Sequence, residues 1–168
     1  MIFLDVDGVL NSNFWNDSHQ REISDGTLID REKIKLLAAL VKMTNAKIVL
    51  HSGWRMWFDE ALKPMRKEAQ RLVELLEQEG LSLEAVTPDL TTEEIRRTKK
   101  FSLVKADEIL AYLDAHKEVT DWVVLDDLAL HNELVERHQV KPDAMIGLTR
   151  EDIEKAEIQL GGISEQQI

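Results

Sequence analysis

The chain has 168 residues, 43% of them hydrophobic and 32% charged, a composition typical of one globular domain rather than of a disordered segment. Its formal net charge of -11 disfavours broad, non-specific attraction to nucleic acid or to an anionic membrane. The absence of cysteine excludes disulfides, thiolate metal sites and a cysteine nucleophile.

The first half of the chain alternates predicted strands and helices. Residues Ile2 to Val6 form an apolar run broken only by Asp5, which is typical of a strand buried on both faces. Asp30 is a candidate N-cap of a helix with apolar residues at helical spacing. Residues 46 to 50 ("AKIVL") predict a second buried strand, and a long helix is predicted to begin near Pro64 and to end at Gly80.

The second half continues the alternation. The segment "LEAVTP" predicts a short strand, and Ser102 is a candidate cap of the next helix. "DWVVLDD" predicts a strongly apolar strand, and "AMIGL" predicts a weaker edge strand. Thr149 and Asp152 form a candidate capping box for a last helix that ends at Gly161. Such alternation predicts an α/β fold with a parallel sheet and helices on both faces, in one domain spanning residues 1–168.

Polar side chains follow the predicted strands or begin the helices that face them, and ligand sites of parallel sheets lie at that edge. These candidates are Asp5, Asp7, His51, Ser52, Gly53, Lys105, Asp126 and Asp127. Clustered carboxylates resist ionising together unless a cation lies among them, and oxygen ligands suit Mg²⁺. A carboxylate beside Mg²⁺ can attack phosphorus, while a second carboxyl protonates the leaving oxygen.

The segments "DVDGVLN", "VLHSGWR", "KADEILAYL" and "VVLDDL" occur in that order and resemble the motifs of the haloacid dehalogenase (HAD) superfamily of phosphohydrolases. The wording "SGWR", "LDD" and "GLTREDIEKA" resembles in particular the small HAD domains associated with bacterial RNA-repair proteins. The resemblance implies a three-layer, Rossmann-like fold without a large cap domain. It also implies a Mg²⁺-dependent phosphatase that forms an aspartyl-phosphate.

The same resemblance implies roles for the acids. Asp5 would be the nucleophile, and Asp7 would be the general acid and base that also offers its backbone carbonyl to Mg²⁺. Asp126 would be the principal metal carboxylate. Asp127 would assist it, either directly or by an orienting contact through water. Because the two acids are adjacent, the sequence leaves open which of them binds the metal.

The remaining implied roles concern the phosphoryl group. Ser52 and Gly53 would bind it, and Lys105 would steady both that group and Asp5. Arg55, with Trp54 and Trp57, either lines a substrate entrance or is a surface cation beside core tryptophans. The polar segment 12 to 28 resembles the flap that follows the first motif, with four specificity candidates: Phe14, Trp15, His19 and Arg21.

The chain leaves little room for a cap and in this resembles the open, cap-poor HAD enzymes, which accept bulky substrates such as polynucleotide ends or protein side chains. Family likeness favours nucleotide or polynucleotide-end phosphates, whereas the acidic net charge points away from them. The basic run from Arg96 to Lys105 is either a local phosphate-binding rim or a solvated loop. A small phosphorylated molecule stays open as substrate.

Two alternatives to an enzyme remain. Receiver domains of signalling proteins use a similar acid cluster as a phosphoryl switch, but their adjacent acids come early in the chain and here they come late. A catalytically inactive HAD scaffold is the other alternative. No apolar run is long enough to span a membrane and no signal peptide is visible, so we expect a cytoplasmic protein without a membrane partner.

Overall fold

The computed structural model describes residues 1–12 and 28–162, which contain a five-stranded, all-parallel sheet. The strands are β1 (Ile2–Leu4), β2 (Ile48–Leu50), β3 (Leu83–Val86), β4 (Val123–Leu125) and β5 (Gln139–Val140). Their order in the sheet is β3-β2-β1-β4-β5, so the direction of winding reverses between β1 and β4. The predicted α/β fold with a parallel sheet is confirmed.

Helices cover both faces of this sheet. They are α1 (Arg31–Thr44), α2 (Lys67–Gln78), α3 (Glu93–Thr98), α4 (Ser102–Ala115), α5 (Glu133–Arg137) and α6 (Arg150–Gln159), with a 3-10 turn at Gly53–Trp57. The apolar faces of α1, α2 and α6 pack in one buried cluster, and those of α4 and α5 pack in another. The result is three layers, and the described residues contain no large cap domain.

The short strands divide their side chains between the two cores. Ile2 and Leu4 point into the cluster under α1, whereas Phe3 points into the cluster under α4. There Phe3 meets Tyr112 and Trp122 edge to face, with ring centroids 5.6 and 6.1 Å apart. This alternation follows from the two-residue period of a strand, and it explains why the runs are apolar at every position.

The predicted caps at two helix starts are confirmed. Asp30 accepts a hydrogen bond from the Glu32 backbone at the start of α1. Thr149 and Asp152 exchange the reciprocal bonds of a capping box at the start of α6. Each cap satisfies backbone N–H groups that the first helical turn leaves without an internal partner.

Other boundaries differ from the prediction. Helix α2 begins at Lys67 rather than near Pro64, because Pro64 instead pairs with Phe58 in an isolated antiparallel bridge. Ser102 is the first residue of α4 and not its cap, a position taken by Phe101. The charged segment 87–100 holds the short helix α3, capped by Thr92.

The predicted edge strand "AMIGL" is wrong. Residues 144–146 form a turn, in which Asp143 accepts hydrogen bonds from the Met145 and Gly147 backbones. The edge strand is β5, which precedes it. The turn packs against the segment that follows β1, where the Leu148 N–H donates to Val9 O. The expectation that residues 1–168 form one domain stays a prediction.

We expect the glycine of this turn, Gly147, to tolerate substitution poorly. Its φ is +80°, and an added Cβ would lie 2.6 Å from the Asn11 carbonyl oxygen. Gly80 is a matched control, because its φ is +74° and an added Cβ would meet nothing within 4 Å. We expect Gly80→Ala to lower the free energy of unfolding by about 1 kcal/mol and Gly147→Ala to lower it by about 1–3 kcal/mol more, measured by urea unfolding. Equal losses in the two variants would contradict the packing argument.

Candidate functional site

Buried carboxylates collect at the carboxyl edge of the sheet, next to the point where the winding reverses. Asp5 follows β1, and Asp126 and Asp127 follow β4. Oxygen atoms of these carboxylates lie within 4.8 Å of one another. Asp5 and Asp126 are buried, and Asp127 is half-buried. The structure therefore brings together acids that are about 120 residues apart in the chain.

Parallel pairing and a tight turn fix this arrangement. The Asp5 N–H continues the ladder by donating to Leu125 O at 2.9 Å. The chain then turns at Gly8, whose φ is +78°. A Cβ at Gly8 would lie 2.7 Å from the carboxyl carbon of Asp127. Only glycine both adopts this backbone conformation readily and leaves room for the acid.

Asp7 is exposed, but its carboxylate is held from two sides. One oxygen accepts a hydrogen bond from Asn11 Nδ2 at 3.0 Å, and the other accepts one from Trp54 Nε1 at 3.2 Å. Asn11 also accepts from the Gly8 N–H and donates to Leu28 O. Sequence reasoning missed Asn11, although it is the last residue of "DVDGVLN". Asn11 ties the turn after β1 to the carboxylate of Asp7.

Lys105 is a buried ammonium between two of the acids. Its Nζ lies 2.6 Å from Asp126 Oδ2 and 3.2 Å from Asp5 Oδ2. Burial works against the charged amine, but the neighbouring carboxylates of Asp5 and Asp126 raise the pKa of Lys105. The ammonium is therefore retained, and it supplies one positive charge to the cluster of three acids.

One ammonium does not balance the acids. Burial, and then the charge of Asp126, raise the pKa of Asp5 to about 8, even with Lys105 beside it. The same two causes raise the pKa of Asp127. Because like carboxylates this close resist ionising together, a cation among them would relieve the repulsion. The all-oxygen donor set of Asp5, Asp126 and Asp127 fits a hard divalent ion.

Ser52 and Gly53 lie on the neighbouring strand end, after β2. Ser52 is buried, and its hydroxyl oxygen caps the 3-10 turn by accepting from the Trp54 N–H at 3.2 Å. An added Cβ at Gly53 would meet nothing within 4 Å, so packing does not demand a glycine there. Both residues line the same cavity as Asp5 and Lys105.

Arg55 is buried, so the alternative of a surface cation is wrong. Its guanidinium makes an ion pair with Glu108 and lies 3.6 Å from Asp89. Glu108, which sequence reasoning missed, also accepts a hydrogen bond from the Leu90 N–H at 3.0 Å. The pair joins the 3-10 turn, α4 and the loop after β3, so the wall of the site is braced from three segments.

Glu108 had a detectable signal in the sequence. It lies one turn after Lys105 on the face of α4 that carries Ile109 and Tyr112, where an acid without a partner would be costly. Burial raises the pKa of Glu108, while the Leu90 N–H and the charge of Arg55 act in the opposite direction. An acid on an apolar helix face is therefore a signal, not used in the sequence analysis, of a buried cation nearby.

Most of these residues, but not Asn11, Trp54 or Asp126, line one cavity of about 460 Å³, in the size range of small-molecule sites, about 300–1,000 Å³. Its floor contains Asp5, Ser52 and Lys105, and its wall contains Arg55 and Glu108. The mouth carries other side chains, namely Met56, Asp89, Thr91, Arg96, Phe101 and Leu128. The predicted flap candidates Phe14, Trp15, His19 and Arg21 lie outside the described residues.

The family described as "HAD domain in Swiss Army Knife RNA repair proteins" matches residues 1–153. The chain belongs to this family. The resemblance drawn from the sequence motifs is confirmed, and the match favours the HAD interpretation over a receiver-like switch. No curated protein matches the chain, and neither does any solved structure.

Membership of this HAD family indicates a hydrolase of the phosphatase type, and HAD domains generally use a divalent metal. The cluster of Asp5, Asp126 and Asp127 is compatible with such an ion. No helix among the described residues has the length and apolar character needed to cross a membrane.

His51 lies behind the HAD site and is completely buried. Its Nδ1 shares a hydrogen bond with Thr87 Oγ1 at 3.0 Å, and its Nε2 has no partner among the described residues. Burial, and then the charges of Lys105 and Arg55, hold the pKa of His51 well below its usual range. The imidazole is therefore neutral in the folded protein.

This burial predicts acid sensitivity. In the unfolded chain His51 takes up a proton below about pH 6.5, whereas the folded protein excludes that proton. We expect His51 to make the free energy of unfolding fall as the pH drops below about 6.5, by up to about 1.4 kcal/mol per pH unit. His51→Gln should reduce that slope in urea unfolding between about pH 6.5 and 5.

His131→Asn is the matched control. His131 is exposed and has a φ of +56°, which asparagine adopts readily. This variant should keep the slope of the unchanged chain. A His51→Gln slope equal to that of His131→Asn would show that His51 is protonated in the folded state.

Proposed function

We propose that this HAD domain is a Mg²⁺-dependent phosphatase that acts through an aspartyl-phosphate on Asp5. The single observation that carries the proposal is the position of the Asp5 carboxylate. It lies on the floor of the cavity, 3.2 Å from Lys105 Nζ and beside the acids Asp126 and Asp127. A nucleophile, a cation and candidate metal ligands thus share one small volume.

Asp5 is oriented for attack by its neighbours. Its Oδ1 accepts a hydrogen bond from the Val6 N–H at 2.9 Å, and its Oδ2 faces Lys105. These contacts restrict the rotation of the carboxylate, so a phosphoryl group bound in the cavity would meet it in a fixed orientation. Such positioning accounts for a large share of the rate of phosphoryl transfer.

The metal would be held by the carboxylates of Asp5, Asp126 and Asp127, with the backbone carbonyl of Asp7 as the family resemblance implies. When bound, Mg²⁺ supplies neutralisation of the phosphoryl oxygens and of the clustered acids. Asp126 is the better candidate for the principal ligand because it is fully buried. The carboxyl group of Asp127 lies against Gly8, and this contact restricts the position of Asp127 in the cluster.

In the first half-reaction a carboxylate oxygen of Asp5 forms a bond to phosphorus, and the bond from phosphorus to the leaving oxygen breaks. Asp7 donates a proton to that oxygen, which departs as an alcohol. The hydrogen bonds from Asn11 and Trp54 hold the Asp7 carboxyl in the lining of the cavity, where it would reach the leaving oxygen of a bound ester. The product left on the chain is the phosphorylated side chain of Asp5.

In the second half-reaction water attacks phosphorus and Asp7 accepts its proton. The bond from phosphorus to Asp5 breaks, which restores the carboxylate and releases inorganic phosphate. Ser52, Gly53 and Lys105 line the cavity where the phosphoryl oxygens would lie, and the ammonium offsets their charge. Arg55 acts through Glu108 as a brace of the cavity wall.

The substrate proposed is a phosphorylated nucleic-acid end. The family description names RNA-repair proteins, and the described residues place no cap over the cavity, so a long chain could approach it. The acidic net charge argues against broad binding of duplexes, but not against a single terminal phosphate with local basic residues nearby.

The nucleophile is tested with Asp5→Asn. We expect this variant to lose measurable turnover of an aryl phosphate in Mg²⁺, because an amide cannot form the acyl phosphate. The unchanged chain should also lose turnover when Mg²⁺ is chelated and recover it when Mg²⁺ is restored. Asp107→Asn is the matched control, since Asp107 is exposed on α4, and it should keep the rate of the unchanged chain. Turnover by Asp5→Asn near that rate would exclude the covalent mechanism, and no turnover by the unchanged chain would favour the inactive scaffold.

The acid role is tested with Asp7→Asn across a series of leaving groups. Protonation matters most for poor leaving groups, so alkyl phosphates should lose more rate than activated aryl phosphates. Asparagine keeps the backbone carbonyl and the side-chain volume, so Mg²⁺ affinity should stay close to that of the unchanged chain. Calorimetric titration with Mg²⁺ checks the second point. The acid assignment is wrong if all leaving groups lose rate by the same factor.

A further inference from the structure

The mouth of the cavity carries three exposed apolar side chains. Met56, Phe101 and Leu128 are 54%, 46% and 39% exposed, and all three line the cavity that contains Asp5. They come from three separate segments, the 3-10 turn, the residue before α4 and the loop after β4. Single exposed apolar residues are common on proteins, but convergence on one opening indicates a surface that contacts a ligand.

Polar side chains line the same mouth. Asp89, Thr91 and Arg96 line it, and Arg96 Nη2 lies 3.2 Å from Asp89 Oδ2. A ligand that fills this opening therefore meets both apolar side chains and hydrogen-bond donors and acceptors. A planar heterocycle has an apolar face and a polar edge, whereas a sugar phosphate or an acyclic ester lacks such a face.

A basic segment runs directly up to this mouth. Arg96, Arg97, Lys99 and Lys100 are exposed and immediately precede Phe101. Within the part of the chain that the structure describes, no ion pair involves Arg97, Lys99 or Lys100. In a chain with a net charge of -11, this run of unpaired cations provides a local site for anions.

We propose that the mouth is a subsite for single-stranded nucleic acid. The terminal nucleobase stacks on Phe101 and Met56, and the neighbouring backbone phosphates lie along Arg97, Lys99 and Lys100. The subsite rests on the proposed function, because it is the entrance of the same cavity. A phosphotyrosine ring could also contact the apolar side chains of the mouth. A peptide, however, has no regular row of anions that would pair with the basic segment.

Binding to the Asp5→Asn variant tests the subsite without turnover. The probe is a fluorescently labelled single-stranded oligonucleotide with a terminal phosphate, in Mg²⁺, measured by fluorescence anisotropy. Adding Phe101→Ala should weaken its binding at least about fivefold, the range expected for loss of one stacked base. Phe101→Trp should keep the affinity. Leu103→Ala is the matched control, because Leu103 lies two residues further along in α4, is 52% exposed and does not line the cavity.

A second probe removes the base from the ligand instead of the ring from the protein. On an oligonucleotide whose terminal nucleotide is abasic, Phe101→Ala should have no effect on affinity. Because single-strand binding loses about 0.7 in its log–log salt slope per phosphate contact, Lys99→Gln with Lys100→Gln should reduce that slope by about 1.4. The double variant Lys117→Gln with Lys141→Gln, both exposed and away from the cavity, should leave it unchanged.

Several results would overturn the subsite. They are equal weakening by Phe101→Ala on the normal and abasic probes, an unchanged salt slope in the Lys99 and Lys100 variant, and tighter binding of a phosphotyrosine peptide than of the oligonucleotide. Turnover of a small acyclic phosphate ester by the unchanged chain is measured in parallel. If that turnover occurs but the oligonucleotide binding does not behave as expected, the phosphatase proposal is kept and the subsite proposal is wrong. If binding behaves as expected and the unchanged chain hydrolyses neither the ester nor the terminal phosphate of the oligonucleotide, the phosphatase proposal is wrong instead.

Discussion

Mutual repulsion among the carboxylates of Asp5, Asp126 and Asp127 governs the organisation of this HAD domain. Their oxygens converge within 4.8 Å in a largely buried setting, where desolvation and like charge both oppose ionisation. A single buried ammonium, that of Lys105, lies among the acids and contacts two of them. One ammonium is too little to keep all three acids ionised together, so the cluster suits a divalent cation and, through it, an anionic substrate.

The sheet makes this unfavourable cluster tolerable. Strands β1 and β4 are adjacent and parallel, so the residues that follow them must emerge side by side. Both strands are fully buried and apolar, and the burial of their side chains offsets the cost of the acids at their ends. Binding of a metal ion and of a phosphoryl group would relieve part of this unfavourable free energy. Local interactions that are unfavourable on their own are common at functional sites.

The sequence predicted much of this architecture because the deciding signals are local. Apolar runs identified β1, β2 and β4, and the residues at their ends were therefore expected at one edge. The strand predicted at "AMIGL" failed for a physical reason, since Gly147 takes a left-handed conformation and its neighbours form a turn on Asn11 and Val9. Periodicity of a few apolar residues does not reveal such a contact.

The parts of the candidate site that escaped prediction depend on contacts between distant segments. The brace between Arg55 and Glu108 joins residues 53 positions apart, and the bond from Trp54 to Asp7 spans 47. Neither pair has a spacing that a single sequence would single out. Among these contacts, only that of Glu108 has a sign in the sequence, namely an acid on an apolar helix face.

Gly8 carries a consequence for the evolution of the family. The space that its side chain would occupy is filled by the carboxyl group of Asp127, so the two positions share one small volume. A side chain can appear at position 8 only if the acid at position 127 shortens or moves, and the left-handed backbone must relax as well. Descendants that abandon the second acid of "LDD" are therefore the ones free to vary the glycine of "DVDG". Lineages that keep both acids in this arrangement are confined to the glycine.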